Sequence, residues 1–366
     1  MTDEVSDTMQ ALVLTGHGGM DRLVFEEEWP TPKPRPNEVL IEVRACGLNN
    51  TDINTRSGWY SKTVNDATTG DAFDEVGEDD PTWGSAPLSF PRIQGADACG
   101  IVVQCGQNAD QALLGKRVIT DNWLRDWSDP FNLHGVGYFG SECDGGYAQY
   151  AVIDYRNVGA VNSELTDEEL ATFSCSYTTA EGMLSRAKVA EGDRVLITGA
   201  SGGVGSALIQ LAKRRGALVI AMASEAKHAQ VNALSPDAIL PRAPEALGEA
   251  LKQATGYDSV TVVADVVGGD YFPALIDVMD RGGRYTCSGA IAGPIVDLDL
   301  RTLYLNDLTF IGSTIVEPHV FTDLISYIER GEIRPIVAKT YPLRDFYQAQ
   351  QAFIDKKHVG NIVVRP

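Results

Sequence analysis

The sequence predicts an α/β protein in which a doubly wound parallel sheet is joined to a second, β-rich and barrel-like domain. Three observations carry that expectation. The apolar run Val195-Leu196-Ile197 enters a turn of small residues (199–205), which opens a helix and leads to a second apolar run at residues 218–221. Strand, glycine turn, helix and strand make one βαβ unit. Beyond it, strand-like and helix-like segments alternate, as in a parallel sheet covered on both faces. Before it, short alternating runs separated by glycine turns dominate residues 1–160, the texture of a twisted β domain.

In chain order, strands are expected at residues 10–14 and 23–25, followed by an extended proline-rich linker at residues 30–36. Residues 38–45 alternate apolar and polar, a half-buried strand; further strands are read at 100–103, 117–119 and 147–153. Between Tyr60 and Phe90 lies a long segment poor in apolar residues, with Asp71, Asp74, Glu75, Glu78, Asp79 and Asp80 at its centre. Its spacing is not that of a calcium loop, so it is read as a solvated acidic flap beside the pocket. Thr166-Asp167-Glu168-Glu169 is a capping box that starts a helix running towards Phe173. The central helix repeats Leu208, Leu211 and Ala212 at helical spacing and closes on Lys213, Arg214, Arg215 and Gly216, cations and a stop suited to a helix C-terminus. Later strands are read at 238–240, 259–265, 283–289, 310–314 and 361–364, and helices at 272–279, 320–330 and 346–354.

Composition bounds the function. The chain has 366 residues, 44% apolar and 22% charged, enough for two domains with cores of their own. No run approaches the ~20 apolar residues of a membrane span. The acidic, polar N-terminus does not resemble a secretory signal, so the cytosol is expected. A formal net charge of −20 argues against nucleic acid or an anionic membrane as partner and leaves a small-molecule substrate. Cys46, Cys99, Cys105, Cys143, Cys175 and Cys287 are scattered without a C-x-x-C pair, which reads as reduced thiols.

The glycine turn points to a cofactor. Gly199, Ser201, Gly202, Gly203, Val204 and Gly205 would let a pyrophosphate approach the backbone at a helix N-terminus. An NAD site carries a carboxylate at the end of the second strand. Here Met222-Ala223-Ser224 stands there, with no acid before Glu225, and Lys227 and Arg242 follow. Ser224, Lys227 and Arg242 suit a 2′-phosphate, so NADPH is expected.

The order of these parts resembles the medium-chain dehydrogenase/reductase family, and within it the quinone oxidoreductase and enoyl reductase branch. The resemblance rests on residues 45–52 (ACGLNNTD), 95–100 (GADACG), 145–150 (GGYAQY), the glycine turn, 263–269 (VADVVGG) and Gly360-Asn361-Ile362-Val363. It implies a GroES-like catalytic domain at 1–160, a Rossmann nucleotide domain at 161–309 and a return of the catalytic domain at 310–366, with the active site between them. It further implies that Thr179, Val266, Val267, Ser288 and Gly289 contact the cofactor. Relatives often carry Lys where Asn361 stands, so one phosphate contact is not expected from that position.

Zinc members of the family hold their catalytic metal through Cys, His and Cys. The matching places here are Asn49, Ala96 followed by Asp97, and Cys175. About three good protein ligands are needed, so no metal is expected. The chemistry that remains is hydride transfer from NADPH to a quinone or to the activated C=C of a small enone or enal. Resemblance to enoyl thioester reductases makes Tyr60 the acid, and Asn49 would orient the substrate carbonyl. Two alternatives stay open. One is an alcohol dehydrogenase with a degenerate metal site, using Thr51 to hold the alcohol; the other is a non-catalytic NADPH-binding protein. Finally, residues 298–305, with Leu298, Leu300, Leu303 and Leu305, resemble the family's dimer-forming segment. They are read as a strand edge, and a homodimer is expected.

Overall fold

Runs of β-branched and other apolar residues with no polar alternation form strands that are buried on both faces, and they make up a six-stranded sheet, all parallel. Its strand order is Ala238–Leu240, Leu218–Met222, Arg194–Ile197, Val260–Asp265, Met279–Cys287 and Thr309–Gly312. The order reverses beside Arg194–Ile197, the strand that leads into the glycine turn, which is where doubly wound sheets bind ligands. The computed structural model describes residues 5–71, 73, 76 and 87–366. Much of the acidic segment, including Asp74, Glu75, Glu78, Asp79 and Asp80, lies outside the described residues.

The β-rich domain is built on Glu38–Gly47. This strand pairs antiparallel with Asp97–Cys105, with Tyr150–Asp154 and, at its far end, with the C-terminal strand Asn361–Arg365. Register shifts at Leu40/Ile41 and Val43/Ala45 add local twist. A second sheet of Leu23–Pro30, Thr8–Leu14 and Arg92–Ile93 joins the first through the hydrogen bond from Leu12 N to Tyr147 O (2.8 Å). Leu12, Leu14, Ile41, Val102 and Val364 share one buried core.

One expectation needs revision, and two further features of the fold were not anticipated. Thr309–Gly312 pairs in parallel with Met279–Cys287, and the helix Pro318–Glu329 packs on Ser176–Arg186, so the chain re-enters the β-rich sheet only at Val337–Pro342. Leu298–Leu305 is not a strand edge: Leu300–Leu305 is a short helix whose Asp299 side chain accepts from Arg301 N (2.8 Å), a local cap that outcompetes extension. The helix Ser176–Arg186 (SYTTAEG at its start) has little intrinsic preference for helix. Its small residues are there for packing, because a Cβ at Gly182 would meet Val316 Cγ1 at 2.6 Å.

Candidate active site

The glycine turn meets the return segment face to face. Gly360 N donates to Ser201 O (2.9 Å), and Gly202 and Gly360 form an isolated parallel bridge. Gly199 has φ +57°, and a Cβ there would press on Val266 and Val267 at 3.1 and 3.3 Å; only glycine adopts this turn beneath two valines. A Cβ on Gly203 would collide with Asn361 Oδ1 and Ser176 Oγ. At Gly202 the nearest atom to an added Cβ is 3.5 Å away, so this backbone remains open to approach from the seam. Val204 and Gly205 lie in the first turn of the helix Gly203–Arg214.

Behind the turn, buried Asp265 accepts from Thr198 Oγ1 (2.5 Å), Tyr285 OH (2.6 Å), Val267 N (2.8 Å) and Gly268 N (3.2 Å). These bonds fix the Val266-Val267-Gly268 loop at the carboxyl end of its strand. Ser288 N donates to Asp265 O (3.2 Å) and Gly289 lies against Val266, so the expected cofactor loops converge on one edge. Ser224 stands at the N-cap position of the short turn Glu225–Lys227, its backbone carbonyl accepting from Lys227 N (2.9 Å). Lys227 Nζ donates to Lys356 O (2.5 Å) and lies 3.4 Å from Ser201 Oγ. Burial, then nearby Arg242, pulls Lys227 below an ordinary lysine. An open backbone at Gly202 beside Ser201, Lys227 and Arg242 fits an anionic nucleotide.

Across the seam, Asn49 N-caps the helix Asn50–Ser57. Its Nδ2 donates to Asp97 Oδ2 (2.9 Å), and its backbone N donates to Asp52 Oδ2 (2.8 Å). Asp97 Oδ1 accepts from Cys175 N (2.5 Å), and Asp52 Oδ2 accepts from Tyr147 OH (2.7 Å). Burial pushes Asp52 up to about 6 and Asp97 up to about 7. Tyr60 OH donates to Thr51 Oγ1 (3.3 Å), and burial raises its phenol. Cys175 and Asp52 bear electrostatically on Tyr60, so Tyr60, Thr51 and Asn49 share one neighbourhood. Thr179 donates its hydroxyl to Cys175. Thr68 N donates to Ile291 O (3.0 Å), so the stretch after Tyr60 touches the nucleotide domain.

A zinc ion does not fit these residues. Asn49 and Ala96 offer no charged ligand, Asp97 has both oxygens engaged, and burial followed by Asp97 raises the Cys175 thiol well above its ordinary value. No group of three or more His, Cys, Asp or Glu side chains among the described residues is arranged to hold a metal. The site also contains residues the sequence did not single out. Tyr138 OH accepts from Asn122 Nδ2 (2.8 Å) and bonds to Cys175, and Ser176 donates to Asn361 Oδ1 (3.2 Å). No local periodicity marks these positions; the fold alone assembles them.

Comparison with known proteins defines the class. Residues 35–163 match the alcohol dehydrogenase GroES-like domain and residues 203–330 match the zinc-binding dehydrogenase domain. A solved candidate alcohol dehydrogenase of Sinorhizobium meliloti is 45% identical, with a TM-score of 0.90, over 99% of this chain and 98% of its own. The acryloyl-coenzyme A reductase of Sulfurisphaera tokodaii is 26% identical over 98% of this chain and all (100%) of its own. The quinone oxidoreductase of Lama guanicoe is 25% identical over 94% and 93% respectively. The chain belongs to the medium-chain dehydrogenase/reductase family, in its quinone oxidoreductase and enoyl reductase-like branch, and is an oxidoreductase.

Proposed function

We propose that this protein is a zinc-free, NADPH-dependent reductase of a quinone or of the activated C=C of a small enone or enal. The observation that supports it is the Asn49–Asp97 hydrogen bond, which engages two side chains at the place where zinc members carry metal ligands, with the Tyr60 and Thr51 hydroxyls bonded to each other on the same helix and the turn after it. The acryloyl-coenzyme A reductase and quinone oxidoreductase relatives support the same acceptor chemistry. Ser201, Gly202, Gly203, Ser224, Lys227 and Arg242 would hold the phosphates, with Val266, Val267, Ser288 and Gly289 along the nucleotide; bound NADPH supplies a hydride. Negative charge then develops on the acceptor's carbonyl oxygen. Tyr60, kept protonated by burial, would turn its one O–H from Thr51 Oγ1 to donate to that oxygen, and the Thr51 hydroxyl would then donate to the phenol oxygen. Asn49 has a second amide N–H to orient the carbonyl while the first stays on Asp97.

Alcohol oxidation is the second reading, favoured by the description of the 45% identical relative; without a Lewis acid it lacks stabilisation for the alkoxide. The protein is further proposed to act as a homodimer in the cytosol. Among the described residues no helix is long and apolar enough to cross a membrane. NADPH oxidation assayed across enals, quinones, enoyl thioesters and simple aldehydes tests the assignment. Turnover of at least one double-bond or quinone acceptor is expected; turnover of aldehydes and alcohols alone would overturn it.

A further inference from the structure

One thiol in the seam is furnished with hydrogen-bond donors that its resting form does not need. Cys175 stands at the N-cap position of the helix Ser176–Arg186, with its backbone N spent on Asp97. Cys175 and Thr179, one helical turn apart, are half-buried, whereas Ser176, Tyr177 and Thr178 between them are buried. The two side chains therefore share the face that opens on the seam. Tyr60 and Thr51 are half-buried in the same way, and Cys175 bears electrostatically on Tyr60. Each of the other five cysteines points its S–H at a carbonyl or carboxylate oxygen, at 3.2 to 3.9 Å. Cys175 has no such acceptor among the described residues. Instead two hydroxyls converge on its sulfur: Thr179 and the Tyr138 phenol, which itself accepts from Asn122 Nδ2 (2.8 Å). Burial, then Asp97, keeps the thiol protonated. A neutral sulfur is a weak acceptor, whereas a thiolate takes charge-assisted bonds about twice as strong. The helix N-terminus favours negative charge at the same atom. Tyr138 and Thr179 thus match the anion this thiol becomes on giving up its proton.

We propose that Cys175 is a catalytic residue, the acid that protonates the acceptor's α-carbon, and that the acceptor is accordingly an activated C=C rather than a quinone. This rests on the reductase reading above. Reduction of an activated C=C calls for donors at two different atoms. The β-carbon receives the hydride that bound NADPH supplies, and the C=C electron pair moves to leave an enolate whose oxygen takes the hydrogen bond from Tyr60. Tyr60 has one O–H, so the proton for the α-carbon comes from elsewhere. The S–H bond of Cys175 breaks, its proton joins the α-carbon as the carbonyl re-forms, and the electron pair stays on sulfur as a thiolate. Tyr138 and Thr179 hold that thiolate until solvent returns a proton once product has left. A quinone gains both its protons on oxygen and has no use for a carbon acid.

Reduction of an α-methyl enal and of a quinone by NADPH, followed with the full-length protein in D2O, tests this. The wild type should deliver deuterium to one face of the α-carbon and yield a single enantiomer of the saturated aldehyde. Cys175→Ala should lower the ratio of enal to quinone turnover roughly a hundredfold or more and place the deuterium on both faces. Cys175→Ser keeps a donor at the same place and should restore the single enantiomer. Cys175→Val, which fills the site without a donor, repeats the test should the alanine variant fail to fold. An unchanged ratio with one face still used, equal losses for the two acceptors, or a wild type that reduces the quinone and not the enal would overturn the assignment. A wild type that reduces neither would instead remove the reductase reading itself.

Discussion

Lys227 and Asp97 show how single groups are set by their surroundings. Lys227 stands at the end of the second parallel strand with Ser224 and Arg242, where an NAD site carries a carboxylate. Replacing it with alanine should weaken NADPH roughly ten- to a hundredfold and leave NADH nearly untouched, as measured by fluorescence titration. Equal loss for the two nucleotides would take Lys227 away from the 2′-phosphate. Asp97 is held by Asn49 and Cys175 N, and burial raises it to about 7. An acid whose folded value lies above its unfolded one, 3.8, stabilises the fold below that unfolded value. The contribution is lost as pH rises through about 7. Asp97→Asn cannot ionise. Chemical denaturation should therefore show the variant gaining on the wild type between pH 4 and pH 8, by roughly 2–4 kcal/mol. A difference independent of pH would mean that Asp97 is ionised throughout.

At the scale of elements, what was legible in the sequence had a backbone cause. The glycine turn could be read because its positions exclude a Cβ: Gly199 sits at φ +57° under Val266 and Val267, and Gly203 abuts Asn361. The capping box at Thr166 is present, with Thr166 Oγ1 accepting from Glu169 N (3.2 Å) and Glu169 returning to Thr166 N (2.9 Å). The helix it starts, however, ends at Leu170. The helix Ser176–Arg186 went unseen because small polar residues chosen for close packing look like a loop. Leu300–Leu305 was misread because a row of leucines fits a strand edge as well as a helix, and the Asp299 cap decides between them. In the site, Tyr60 OH donates to Thr51 Oγ1, two residues beyond Asn49. Tyr138 and Asn122 were not legible, since each acts through a partner outside its own element, as when Asn122 Nδ2 donates to Tyr138 OH across 16 positions.

For the whole molecule, two domains meet along a seam pinned by Gly360 on Ser201, Thr68 on Ile291 and Lys227 on Lys356, which keeps hydride donor and acceptor sides in register. The short helix Leu300–Leu305 and the loop before it expose Ile295, Leu300, Tyr304 and Leu305, the first two at 67% and 64%. Apolar residues clustered this way mark an association surface, and a two-fold pairing of nucleotide domains would cover them. Light scattering should give twice the 39.5 kDa of one chain, and Leu300→Asp should return it to one. A wild-type mass of 39.5 kDa would remove the dimer.

The central claim is reduction of an activated acceptor by NADPH without a metal. It is tested most directly by following NADPH consumption with an enal or quinone acceptor before and after exhaustive chelation, with metal content measured on the same sample. Substoichiometric zinc and an unchanged rate are expected. Stoichiometric zinc with turnover that chelation abolishes and zinc restores would contradict it.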